Sequence, residues 1–255
     1  MDIYEESFPV GFTAVDESGH LSMAAAFDYF QEAAIRHAEA LGVGRAPMME
    51  LRQGWVLSRM SVLMERRPRQ EEQITVRTWP RGWEKLFAIR DFDILDGAGI
   101  PIVRARSCWL IVDIDKRRPL RPQATMEKLP LNDGLNSLAD GGTGLEAREA
   151  EGYHPEKLGE RRAAYSDIDF NGHMNNARYV QWIQDITAPD TLIRAKTMRL
   201  DINYLNEIKL GETLEIRTTP LPADSACGSA ISIEGRRTGG GQAAFRAELR
   251  LNPAV

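Results

Sequence analysis

The chain carries one pattern twice. Residues 60–80 (MSVLMERRPRQEEQITVRTWP) align without a gap on 200–220 (LDINYLNEIKLGETLEIRTTP), an offset of 140 that places Glu72 over Glu212, Arg77 over Arg217, Thr78 over Thr218 and Pro80 over Pro220. Nearer the start of each half, Asp16-Glu-Ser-Gly19-His20 lies over Asp169-Phe-Asn-Gly172-His173 at an offset of 153, followed by Ala24 over Ala177, Tyr29 over Trp182 and Gln31 over Gln184. Two matches in the same order restrict the chain to two copies of one unit of about 120 residues, because a repeat of this kind is a single supersecondary unit used again.

Both copies read alike. After His20, Met23, Phe27, Phe30, Ala34, Ala38 and Leu41 recur at helical spacing and Gly42 supplies a stop, so a core helix is expected near 22–41. Strand-forming runs follow at 55–65, 73–80, 86–95 and 101–114, with Asp96-Gly97 marking a hairpin. In the second copy a helix is expected near 174–187 and strands near 197–206, 212–220, 228–236 and 242–251, with a turn at Gly239-Gly240-Gly241. Residues 121–160 hold Pro122, Pro130 and the Asp140 to Gly144 stretch without periodicity. The expected division is therefore a first domain over 1–120, a linker region over 121–160 and a second domain over 161–255. A helix followed by an antiparallel meander, twice over, is an α+β fold in which each sheet wraps its own helix.

Composition narrows the function classes. With 43% hydrophobic and 27% charged residues over 255 positions the chain is globular. A net charge of -5 argues against coating nucleic acid or anionic membrane by overall charge. Cys108 and Cys227 have neither metal-ligand spacing nor a disulfide framework, and residues 1–6 lack a basic region before an apolar core, so a reducing, cytoplasmic setting is expected. The most apolar stretch, Cys108 to Val112, is far short of the roughly 20 residues that span a bilayer, so no membrane span is expected. No Walker loop, Rossmann glycine pattern or zinc signature occurs, and no cofactor or metal is implied.

The four histidines focus the search for chemistry. His37, between Arg36 and Ala38 in the first helix, reads as a helix-surface side chain, and His154 as a loop residue. His20 and His173 occupy equivalent places before their helices. Around His173, the stretch Asp167 to Tyr179 concentrates Asp169, Asn171, Asn175 and Asn176 at a helix start. Such residues serve as N-caps and turn formers. Alternatively, in an extended approach, Asp169, Asn171 and His173 alternate onto one side, where a carboxylate, an amide and an imidazole meet the donors of a helix N-terminus.

The motif D-x-N-x-H-x-N-N-x-x-Y over Asp169 to Tyr179 resembles the active-site stretch of the acyl-acyl carrier protein thioesterases. The Phe8-Pro-Val-Gly-Phe to Ala40-Leu-Gly segment, the Gly54 to Met60 strand and the Tyr204 to Glu207 strand are similar to that family as well, so the resemblance covers nearly the whole chain. It implies a tandem double hot-dog fold, hydrolysis of fatty acyl thioesters on acyl carrier protein, and Asp169, Asn171, His173 and Glu207 as catalytic residues. Plant members have a cysteine after that glutamate where this chain has Ile208, which speaks against a cysteine nucleophile here. Asn171 is replaced by Ser18 in the first copy and Glu207 by Arg67, a degenerate site. That copy is expected to supply an apolar acyl pocket with Phe27 and Phe30 as substrate-binding residues. The basic runs Arg66-Arg67-Arg69, Lys116-Arg117-Arg118 and Arg161-Arg162 read as solvated surface, one of which receives an acidic carrier. An acyl-CoA thioesterase and a non-catalytic acyl sensor are the other readings. Either a monomer or a homodimer is compatible with the sequence.

Overall fold

The computed structural model describes residues 2–147, 155–222 and 228–253. The chain divides into two compact units, Met1–Gly142 and Thr143–Val255. The first contains β1 (Tyr4–Pro9), α1 (Met23–Ala40), α2 (Arg45–Glu50), β2 (Gln53–Met64), β3 (Gln73–Glu84), β4 (Phe87–Leu95), β5 (Pro101–Asp113), β6 (Arg118–Leu120) and α3 (Gln123–Met126). Its strands lie in the order β1-β3-β4-β5-β2, all antiparallel, with β6 on β5. The second contains β7 (Glu156–Arg162), α4 (Asn176–Ile186), α5 (Pro189–Arg194), β8 (Ala195–Tyr204), β9 (Thr213–Pro220), β10 (Ser229–Arg237) and β11 (Ala243–Pro253). Its antiparallel order, β7-β9-β10-β11-β8, is the same topology again. The duplication read from the sequence is thus a duplication of fold.

Local chemistry explains the elements. Ser22 caps α1, its hydroxyl accepting the Ala25 N–H at 3.1 Å, and Gly42 at φ +70° ends it with Val43 N–H on Ala38 O. Along α1 the buried residues Met23, Phe27, Phe30, Ala34 and His37 form one stripe. Phe30 meets Phe92 of β4 with ring centroids 5.0 Å apart. In the second unit Tyr179 of α4 packs edge-on against Phe245 and Tyr204, at 5.4 and 5.3 Å. On β9, buried Leu214 and Ile216 alternate with more exposed Glu215 and Arg217, the period-2 pattern of a sheet with one covered face.

Two expectations need correction. His37 is fully buried, not on the helix surface: Arg90 Nη1 donates to its Nδ1 at 3.0 Å and to Thr78 Oγ1 at 3.2 Å. Burial pulls the Arg90 guanidinium down to about 10. The stretch 121–160 is not one linker either. Met126, Leu129 and Leu138 are buried in the first unit, and β7 lies at the other end. The reason is polar stapling rather than periodicity. Asp91 and Arg106 form a buried two-pronged pair with both contacts at 2.8 Å, and this pair takes up the Ser137 N–H, the Asn136 side chain and the Ala139 carbonyl. At Gly142 (φ +80°) the chain passes so close that a Cβ would stand 2.5 Å from Cys108 Sγ.

Asp91→Leu strands the Arg106 charge in the interior and should cost about 3–5 kcal/mol of stability. Urea unfolding measures the loss, and limited proteolysis should find new cleavage within 130–142.

Candidate active site

A closed turn, not an extended approach, brings His173 to its place. Ile168 and Met174 form a β-bridge, the Asp169 N–H donates to His173 O at 2.9 Å, and the Gly172 N–H donates to Asp169 O at 3.0 Å. Gly172 sits at φ +79°, where a side chain is strained. The Asp169 carboxylate accepts the Asn171 N–H at 2.8 Å, an Asx turn. Asp169 therefore shapes the turn, and Asn171 is exposed at its tip. The single-sided alternation of Asp169, Asn171 and His173 does not arise, because residues 169–172 reverse the chain.

Beyond the turn, Asn175 caps α4 by accepting the Ala177 N–H at 2.8 Å, while its own N–H donates to Asp167 O. The Met174 N–H donates to Ile208 O at 2.7 Å and ties the turn to the segment after β8. That tie sets His173 Nε2 3.0 Å from Glu207 Oε2, with the two side chains 32% and 59% exposed. Of the four residues named from the sequence, His173 and Glu207 thus meet directly. Tyr179, the last residue of the D-x-N-x-H-x-N-N-x-x-Y motif, is buried and bonds the main chain of Ile208; burial holds its hydroxyl well above the usual tyrosine range.

The first unit repeats this frame bond for bond. The Asp16 N–H meets His20 O, Gly19 N–H meets Asp16 O, Leu21 N–H meets Pro68 O, and Gly19 stands at φ +72°. The difference lies at the Glu207 position. Arg67, with its side chain 5% exposed, ion-pairs with Asp16 and donates Nε to Leu21 O at 3.1 Å. Its histidine is turned locally, His20 Nδ1 lying 2.9 Å from Ser18 O. Phe27 and Phe30 are buried on the sheet-facing side of α1.

An imidazole bonded to a carboxylate, both reachable by solvent, is suited to accepting and returning a proton. The neighbouring position offers no thiol, since Ile208 is an alkyl side chain and fully buried. Cys108 is buried, and burial pushes its thiol up to about 11. Cys227 and His154 lie outside the described residues. Among the described residues no group of three or more His, Cys, Asp or Glu is gathered as a metal site. None of their helices is long and apolar enough to cross a membrane.

Two tandem units, each an antiparallel sheet with its own helix, define a double hot-dog protein, and among the described residues the histidine–glutamate pair lies in the second. Comparison with known proteins narrows the class. The acyl-ACP thioesterase N-terminal domain profile matches residues 1–126 and the acyl-ACP thioesterase C-terminal domain profile matches 154–251, and the chain belongs to the acyl-ACP thioesterase family. An acyl-[acyl-carrier-protein] hydrolase of Cuphea viscosissima is 25% identical over 257 residues, covering 94% of this chain. A palmitoyl-acyl carrier protein thioesterase of Cuphea hookeriana is 26% identical over 259 residues, again 94% of this chain. The chain spans 60% of the length of each of these relatives. The fold is similar to that of an acyl-ACP thioesterase from Bacteroides thetaiotaomicron, with TM-score 0.82, 24% identity and 98% of each chain covered. It is also similar to a 12:0-ACP thioesterase from Umbellularia californica, with TM-score 0.81, 22% identity and 99% and 94% of the two chains covered.

The raised Cys108 thiol gives a direct test. In a Cys227→Ser background, native protein at pH 8 should react negligibly with a disulfide-exchange reagent, and react fully once denatured. Rapid native labelling would place the thiol in an accessible, ionised setting instead.

Proposed function

We propose that this chain hydrolyses the thioester of fatty acyl-acyl carrier protein, releasing free fatty acid and ending chain elongation. The observation that carries the reading is the His173–Glu207 pair, set in a frame the first unit shares but fills with Arg67 and Asp16. In this reading Glu207, oriented with His173, takes a proton from water as the water oxygen attacks the acyl carbonyl. Asn171 and donors at the start of α4 hold the oxygen that becomes negative. The tetrahedral carbon then expels the carrier's thiolate, which receives the proton, and the acid departs. Asp169 contributes by fixing the turn. No acyl-enzyme is formed, in keeping with Ile208 beside Glu207 and with the buried Cys108.

The acyl chain is assigned to the first unit, with Phe27 and Phe30 as wall residues. The reaction is placed in the cytoplasm, in keeping with the sparse cysteine usage. Of the three basic runs, the first is least suited to the carrier, since Arg67 is buried against Asp16 and Arg66 is paired with Glu72. Exposed Lys116, Arg117 and Arg118 and the Arg161–Arg162 run remain as surfaces for an acidic partner.

The deciding experiment offers purified protein a panel of acyl-carrier thioesters and measures free fatty acid. Comparing kcat/KM on the same acyl group carried by coenzyme A separates the two thioesterase classes. His173→Ala should lower kcat by about 10²–10⁴, the scale for losing an acid-base group, and Glu207→Gln should do the same despite its similar size. His20→Ala should leave turnover largely intact, and equal losses in both histidine variants would show the first site to be misassigned. Shortening Phe27 or Phe30 should shift preference toward longer chains by roughly 1–3 kcal/mol. An unchanged chain-length profile with lost stability would make them core residues only.

A further inference from the structure

Arg237, the last residue of β10, takes no part in the chemistry proposed above but touches its frame. Its Nη2 donates to the main-chain carbonyl of Glu207 at 2.6 Å and lies 3.4 Å from Glu212 Oε2. That same Glu212 oxygen accepts the Lys209 N–H at 2.9 Å. The Lys209 N–H first, and Arg237 after it, hold the Glu212 carboxyl below its usual range. One guanidinium thus grips the turn 207–212 at its first carbonyl and at its last carboxylate.

The first unit has the same turn. Glu65 and Arg66 donate to Ile102 O as Leu205 and Asn206 donate to Ala244 O, and the Arg69 N–H reaches Glu72 Oε2 at 3.0 Å as Lys209 reaches Glu212. Asp96 holds the hairpin position of Arg237, since its N–H closes on Ile100 O as that of Arg237 closes on Gln242 O. The charges are exchanged. In the first unit the cation, Arg66, sits on the turn, 2.6 Å from Glu72 and 3.5 Å from Asp96 on the hairpin. In the second unit Asn206 replaces the turn's cation and the hairpin supplies it, at the one carbonyl that belongs to Glu207.

We infer that Arg237 is a positioning residue for Glu207, fixing the backbone from which its carboxylate reaches His173. The inference rests on the reading of Glu207 and His173 as the reacting pair. Glu207 is mostly exposed and has a long side chain, so a single contact to His173 orients it only if its main chain is held. A displacement of about 1 Å at a catalytic group can cost on the order of 10²-fold in rate.

The test compares Arg237→Gln with Arg237→Lys and with Asp96→Asn, the equivalent position of the first unit, in the full chain. Arg237→Gln should lower kcat about 10- to 100-fold with KM within about twofold. The lysine variant, which keeps a charged donor without the guanidinium's fork, should recover part of kcat. Asp96→Asn should lose thermal stability while keeping the wild-type kcat. Independently of turnover, nitrogen NMR of the His173 ring should show the Nε2 signal moved in Arg237→Gln and unmoved in Asp96→Asn. A wild-type kcat in Arg237→Gln, equal kcat losses in Arg237→Gln and Asp96→Asn, or an unmoved ring signal would each overturn the inference. If the wild-type protein hydrolysed no acyl thioester, the proposed function would fall and the ring signal alone would decide the brace.

Discussion

A main-chain bond from the Met174 N–H to the Ile208 carbonyl joins the two segments that meet at the candidate site. On one side of it lies the turn that ends in His173 and opens α4; on the other lies the segment that carries Glu207. Neither side chain has a long stretch of regular structure to fix it. The His173–Glu207 distance is therefore set by short-range backbone geometry: the Gly172 turn, the Asn175 cap and the turn after Glu207. The first unit keeps the same bond between Leu21 and Pro68. The frame belongs to the fold, and the chemistry depends on which side chains are hung on it.

That separation accounts for the contrast between the two units. With Arg67 in place of Glu207, the first frame closes on itself through Asp16 and Leu21. A buried cation paired to a carboxylate is structurally sound and chemically inert toward a carbonyl carbon. The second frame leaves an imidazole and a carboxylate facing each other within reach of water. In the first unit, α1 buries apolar surface through Met23, Phe27, Phe30 and Ala34.

Long periodic elements were readable from the chain. The helix expected at 22–41 is found at Met23–Ala40, and the strand expected at 86–95 at Phe87–Leu95. The edge strands β1 and β7, with sequences YEESFP and EKLGERR, escaped notice because edges carry charges that mask alternation. His37 stood at the right spacing after Phe30 and Ala34 for the buried stripe, and its polar type misdirected the reading. Residues 121–142 carry no period because side chains distant in sequence, Asp91 and Arg106, hold them. At the site, the Asn-Gly turn signal was present in Asn171-Gly172 but yielded to an argument from alternation. Glu207 was recognisable only through family likeness, and Arg237, thirty residues further on, left no local sign at all.

The pairing of Arg67 with Asp16 also limits what can be substituted there. Arg67 is almost wholly enclosed, so placing a glutamate at that position would remove the cation that balances Asp16 and bury a second negative charge beside it. A glutamate at position 67 alone would give a less stable protein. Copying the His173–Glu207 arrangement into the first unit therefore takes a second change, at Asp16, to restore the balance of charge there.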